Sequence, residues 1–109
     1  IRRGMPRFEP ELYARNLNLL DGYAAIAQAA GCTPAQLALA WLLHRGEHVI
    51  PIPGTTSLAH LAEDVAAADI KLDAPTMTAL DALINQRTVS GARYNAQSAS
   101  EVDTEEFPA

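Results

Sequence analysis

The chain has 109 residues, of which 49% are hydrophobic, and a formal net charge of −5. That length admits one domain or a piece of a larger one. The apolar share excludes wholesale disorder, and the negative charge excludes binding nucleic acid or an anionic membrane through general basicity. A single cysteine, Cys32, rules out an internal disulfide framework and any multi-cysteine metal site. No signal-peptide pattern and no apolar run near 18 residues occurs, which predicts a soluble, cytoplasmic protein without a membrane partner.

Residues 1–9 read as a connecting segment, broken by Gly4 and Pro6. A helix is predicted from Pro10, tolerated in a first turn, to about Ala30. Leu12, Leu19, Leu20, Tyr23, Ile26, Ala27 and Ala30 give it an apolar stripe, and Gly31 stops it at the C′ position. Thr33-Pro34-Ala35-Gln36 is a capping box with proline at the first helical position, opening a helix that carries Leu37, Ala40, Trp41 and Leu43 and ends at Arg45-Gly46. Trp41 is expected in the core.

The run 48–52 is short and apolar, as in a strand buried on both faces under helical cover, with Pro51 marking the end of sheet pairing. A loop rich in Gly and hydroxyls follows, and Thr56 or Ser57 caps the next helix. Such a junction aims backbone N–H groups and the positive end of a helix dipole at one point, which suits a phosphate or carboxylate. The same anatomy occurs in every βα unit, so a purely structural reading stands beside the anion-binding one. The inward face of this helix is expected to be Leu58, Leu61, Val65 and Ala68, with His60, Glu63 and Asp64 on the other side. Asp73 then caps a helix with Pro75 in its first turn and a stripe of Met77, Leu80, Leu83 and Ile84. From about Thr88 the chain turns polar and small, as a tail that follows the surface or is partly mobile. A lone strand has nothing to pair with. The pattern therefore predicts the last βα unit of a repeating α/β fold, in a fragment or in one of several chains that complete a sheet.

Met5-Pro6-Arg7-Phe8, the run from Gly31 to Leu43, Ile50-Pro51-Ile52-Pro53-Gly54-Thr55 and the run from Leu58 to Ala68 come in an order and spacing that resemble the C-terminal third of aldo-keto reductases. The likeness extends from Ile1 to about Tyr94. It implies an α/β fold, the C-terminal fragment of a (β/α)8 TIM barrel. The chain would supply the seventh barrel helix, the eighth strand, the eighth helix and the extra C-terminal helix, with 1–94 as the incomplete domain and 95–109 as a polar tail. The implied activity is NADP(H)-dependent reduction of an aldehyde or ketone to an alcohol, this chain holding the 2′-phosphate of the adenosine half. Pro53, Gly54, Thr55, Thr56 and Ser57 occupy the positions of the phosphate loop. His60 stands where many members place an arginine, and Glu63 and Asp64 where Glu-Asn faces the adenine. Three positions depart from that pattern. Gly54 and Thr55 replace a basic residue, His60 carries a full charge only when protonated, and Asp64 adds negative charge. NADPH stays the expected cofactor over NADH. The family's catalytic Asp, Tyr, Lys and His belong to the earlier part of the barrel; Tyr13, Tyr23, Tyr94 and Lys71 match none of them, so no catalytic residue is assigned. The implied partners are a small carbonyl substrate and the remainder of the barrel, from the same or a second chain.

The other polar residues have plainer readings. His44 and His48 flank the strand, Cys32 is a small structural residue, and Glu101, Asp103, Glu105 and Glu106 form a solubilising tail. A helix-turn-helix with Thr33 to Arg45 as its second helix, after the first helix and the Gly turn, fails because that helix carries Leu and Ala where base-reading donors are needed and the net charge is negative. The alternative function is a non-catalytic chain that completes another polypeptide's barrel. In either case the isolated chain is expected to be inactive and unstable as a monomer.

Overall fold

Local capping chemistry sets the helix boundaries in the computed structural model, which describes residues 4–102. Six α-helices follow one another there: α1 (Pro10–Leu17), α2 (Leu19–Ala29), α3 (Pro34–Leu43), α4 (Leu58–Ala66), α5 (Ala74–Leu83) and α6 (Ala96–Ala99). Short 3-10 turns cover Pro6–Phe8 and Ala67–Asp69. The helix expected over 10–30 is interrupted at Asn18 alone, which keeps αR backbone angles.

The caps fall where the residue types demand. Gly31 takes φ of 68°, and the Cys32 N–H reaches back to the Ala27 carbonyl at 3.0 Å, closing α2 with a left-handed turn that glycine accepts without strain. At α3 both halves of the capping box form: the Thr33 hydroxyl accepts from the Gln36 N–H at 3.2 Å, and the Gln36 side chain accepts from the Thr33 N–H at 3.1 Å. Asp73 caps α5 through the Thr76 N–H at 2.9 Å.

The core lies where α2, α3 and α5 meet. Ala27, Leu37, Ala40, Leu72 and Leu80 are buried, with Tyr23, Ile26, Trp41, Ile70 and Met77 packed around them. The expected stripes of α2, α3 and α5 supply most of this set, although Leu20, Leu43 and Ile84 stay on the surface. Trp41 sits at the edge of the core, where its indole N–H donates to Asp81 at 2.9 Å and the Arg45 guanidinium lies 4.5 Å above its ring. Indole needs such a partner when half-buried.

Two expectations are corrected. Among the described residues there is no strand: 49–55 takes no regular secondary structure, and Ile50 and Ile52 are 81% and 92% exposed rather than buried. A strand exists only by pairing, and among the described residues no segment is paired in a ladder. Likewise α4 turns the other way from its expected orientation. Leu58, Leu61 and Val65 are 84%, 50% and 66% exposed, Ala68 is exposed too, and Ala67 is buried in its place. The helix has α3 as its neighbour and meets it with the polar Glu63 side, so its apolar stripe is left uncovered among the described residues.

The tail after α5 is anchored. Asn16 and Ser90 exchange two bonds, the amide donating to the Ser90 carbonyl at 2.9 Å and accepting the Ser90 N–H at 2.7 Å. Arg7 Nε donates to the Gly91 carbonyl at 3.1 Å. The tail thus follows the surface back to the start of the described chain. Glu101 is exposed, whereas Asp103, Glu105 and Glu106 lie outside the described residues.

Candidate functional site

The loop between α3 and α4 gathers the expected phosphate positions at one helix end. Pro53, Gly54, Thr55 and Thr56 are exposed, and Ser57 is half-buried as the N-cap of α4. Of the two possible caps, Ser57 takes the role: its hydroxyl accepts from the His60 N–H at 3.4 Å. The Thr55 hydroxyl accepts from the Ser57 N–H at 3.1 Å, which fixes the turn into the helix. Those two bonds, and the Leu61 N–H on the Ser57 carbonyl at 2.9 Å, account for only part of the donor supply. Among the described residues, the backbone N–H groups of Gly54, Thr55, Thr56, Leu58 and Ala59 have no protein partner. Orphan donors at a helix start, reinforced by the helix dipole, leave an electropositive corner of backbone.

Gly54 has neither a positive φ nor a neighbour within 4 Å of where a Cβ would stand. Nothing in the fold of this chain demands glycine there. It leaves the backbone there unshielded.

The helix-borne candidates divide. His60 is exposed, Asp64 is half-buried, and neither side chain makes a hydrogen bond among the described residues. Glu63 is engaged: its carboxylate accepts from the Thr33 hydroxyl, and its carbonyl accepts from the Gln36 side chain at 3.1 Å. The loop and His60 therefore share one open corner, while Glu63 joins α4 to the start of α3. Sequence reading missed that Thr33 and Gln36 bear on this site, because nothing local signals a contact across some 30 positions.

Other reactive groups lie elsewhere and are quiet. Burial pushes the Cys32 thiol up, away from the thiolate that nucleophilic chemistry requires. Burial, and then the neighbouring Cys32, raise the Tyr23 phenol, which stays a neutral donor to the Pro34 carbonyl at 2.9 Å. His44 spans α3 and the approach to α5, its Nδ1 against the Ala40 carbonyl at 2.7 Å and its Nε2 accepting the Leu72 N–H at 3.1 Å. The described residues contain no cluster of three or more metal-ligating side chains, and no single helix among them is long and apolar enough to cross a membrane.

An exposed Pro-Ile-Pro-Gly segment leads into a capped helix with unpartnered N–H groups at its start, and comparison with known proteins bears on what such a chain is. The sequence model of the aldo/keto reductase family matches residues 2–85. A Schizosaccharomyces pombe protein named aldo-keto reductase yakc [NADP(+)] is 38% identical over 109 residues, which is 98% of this chain and 32% of that protein. The chain thus spans about a third of the length of the curated relative it matches. With most of its length inside the family match, the chain belongs to the aldo/keto reductase family.

Proposed function

We propose that this chain forms the C-terminal part of an NADP(H)-dependent aldo-keto reductase, a (β/α)8 barrel that reduces aldehydes or ketones to alcohols. In this reading 1–94 belongs to the barrel, with 48–52 as its last strand and α4 as its last barrel helix, and 95–109 is the tail. The chain's task is to hold the adenosine 2′-phosphate of the cofactor. The observation that carries the reading is the cluster of unpartnered N–H groups from Gly54 to Ala59 at the start of α4. A phosphate there completes hydrogen bonds the chain itself leaves open. The Thr56 hydroxyl adds a donor, and His60 adds charge when protonated. Pro53 and Gly54 let the ligand close on the backbone, while Glu63 and Asp64 border the adenine end, Glu63 with its carboxylate tied to Thr33. The relative's printed name carries the same cofactor, NADP(+).

The bound nicotinamide supplies hydride for the carbonyl carbon. The proton for the carbonyl oxygen comes from the rest of the barrel, since Tyr13, Tyr23, Tyr94 and Lys71 match none of the family's catalytic positions. The exposed stripe of Ile50, Ile52, Leu58, Leu61 and Val65 supports that remainder as the partner. Burying one such side chain gains about 1.5–3 kcal/mol, so an isolated monomer lacks a large share of its stabilisation. Cytoplasmic residence fits a cofactor of this kind.

The test is made on the complete barrel. Ser57→Ala and His60→Ala should each weaken NADPH more than NADH, by severalfold, in fluorescence titration. Equal losses for the two cofactors would remove the 2′-phosphate assignment.

A further inference from the structure

The imidazole of His44, at the C-cap of α3, joins that helix to the linker that leads into α5. Both ring nitrogens meet backbone groups whose roles are fixed. The Ala40 carbonyl, 2.7 Å away, only accepts, so Nδ1 carries a proton; the Leu72 N–H, 3.1 Å away, only donates, so Nε2 is bare. One neutral tautomer alone satisfies both. Leu72 is a core residue and Ile70 packs against the same core, while the linker 70–73 takes no regular secondary structure of its own. The Leu72 N–H has no other acceptor among the described residues. The His44 bond therefore pins a core-forming segment to the end of α3.

His44 is exposed, so protons from solvent reach the ring. A second proton can enter only at Nε2, since Nδ1 already holds one. The charged ring is tolerated, because it sits at the negative end of the α3 dipole and its Nδ1–H still donates to Ala40. The bond that fails is the one to Leu72, where two N–H groups would then oppose each other. The surrounding charges do not override this. Arg45, next in the chain, is paired with Asp81 of α5 at 3.0 Å, and Glu47 and His48 follow it. On the linker side stand Asp69, Lys71 and Asp73, the last committed to the Thr76 N–H. The helices beside α3 add His60, Asp64 and Glu63 on α4, Glu63 being held by Thr33, and Asp21 on α2. Among the described residues no carboxylate comes within salt-bridge distance of the His44 ring, so none locks its charge.

We propose that His44 is a proton-operated latch: the neutral ring fastens the linker 70–73 to the end of α3, and the imidazolium releases it. Histidine changes charge between about pH 5 and 8, so release comes on mild acidification. The latch is built from one ring and two backbone groups and does not depend on the cofactor reading.

The test follows amide exchange at Leu72 by NMR in the complete protein, expressed as protection relative to the unfolded chain, from about pH 8 to about pH 5. Protection at Leu72 should fall about tenfold over that range, the worth of one hydrogen bond. Leu37, whose N–H reaches the Thr33 carbonyl at 2.9 Å in α3, should keep its protection. His44→Gln offers an amide oxygen in place of Nε2 without a titration, so its Leu72 protection should be the same at both ends of the range. His48→Gln should respond as wild type does. Ring nitrogen shifts give a second reading that needs no variant: at about pH 8 Nδ1 should carry the proton and Nε2 should be bare. The proposal is overturned if Leu72 protection does not change on acidification, or if Leu37 falls with it. It is equally overturned if the change persists in His44→Gln, vanishes in His48→Gln, or if the neutral ring holds its proton on Nε2. Failure of the 2′-phosphate assignment moves none of these readouts, so the two readings fail separately.

Discussion

The Thr33 hydroxyl donates to the Glu63 carboxylate while it accepts the Gln36 N–H at 3.2 Å. One oxygen thus caps α3 and ties α4 to it. Glu63→Ala should lower stability by about 1 kcal/mol, the net worth of one such bond. Thr33→Val, which also loses the cap, should cost about 1–2 kcal/mol. The two effects should fall short of adding in a double-mutant cycle followed by urea unfolding, because both remove the same contact. Glu63→Gln should leave NADPH affinity within about twofold if the carboxylate serves the helix pair, whereas a role against the cofactor would change it more.

Gly54→Ala separates fold from ligand. The backbone there is not in the left-handed region, and a Cβ meets nothing within 4 Å. Stability should stay level or rise by up to about 1 kcal/mol, since alanine restricts the unfolded chain. NADPH affinity should nevertheless fall, because the methyl occupies the approach to the orphan N–H groups. Unchanged affinity would place the phosphate elsewhere.

Gly91→Ala should be destabilising for two independent reasons. Gly91 has φ of 89°, and a Cβ there would stand 3.1 Å from Leu12 Cδ1 and 3.3 Å from the Arg7 backbone. The loss should be about 1–3 kcal/mol and should release the tail, raising amide exchange at Ser90. Retained protection at Ser90 would show that the tail holds without this turn.

Acid should loosen α5 through its cap. Hydrogen bonds from Thr76, side chain first and then backbone, hold the Asp73 carboxyl below its ordinary value. A group depressed in the folded state stabilises it fully above its unfolded pKa, near 3.9, and loses that contribution as pH falls through the lower folded value. Wild type should therefore lose stability below about pH 4 from this cap. Asp73→Asn keeps a good capping residue without the titration, and its urea midpoint should vary less over the same range.

The parts of the fold that were legible in the sequence are those fixed within a few positions. Gly31, the Thr33–Gln36 box and Asp73 declare helix ends by residue type alone, because donor and acceptor lie three or four residues apart. The helix start at 56–57 was legible for the same reason, with Ser57 rather than Thr56 as the cap. The facing of α4 was not legible. A stripe of Leu58, Leu61 and Val65 states that one face is apolar, but what covers it depends on neighbours this chain does not provide. The strand 48–52 does not form among the described residues on the same ground, since its existence is a property of a pair. The Asn16–Ser90 exchange was invisible because polar side chains 74 positions apart carry no periodic signal.

Drawn out as a strand, the segment with Ile50 and Ile52 would have two unequal edges. Alternate residues of a strand present their N–H and carbonyl groups to opposite sides. Residues 50, 52 and 54 keep both donor and acceptor on one side, whereas Pro51 and Pro53 leave only acceptors on the other. A neighbour can be zipped in along the first edge and only loosely held along the second. Copies that met through this segment would pair edge to edge and stop at two, since no second donor edge remains to propagate a fibre.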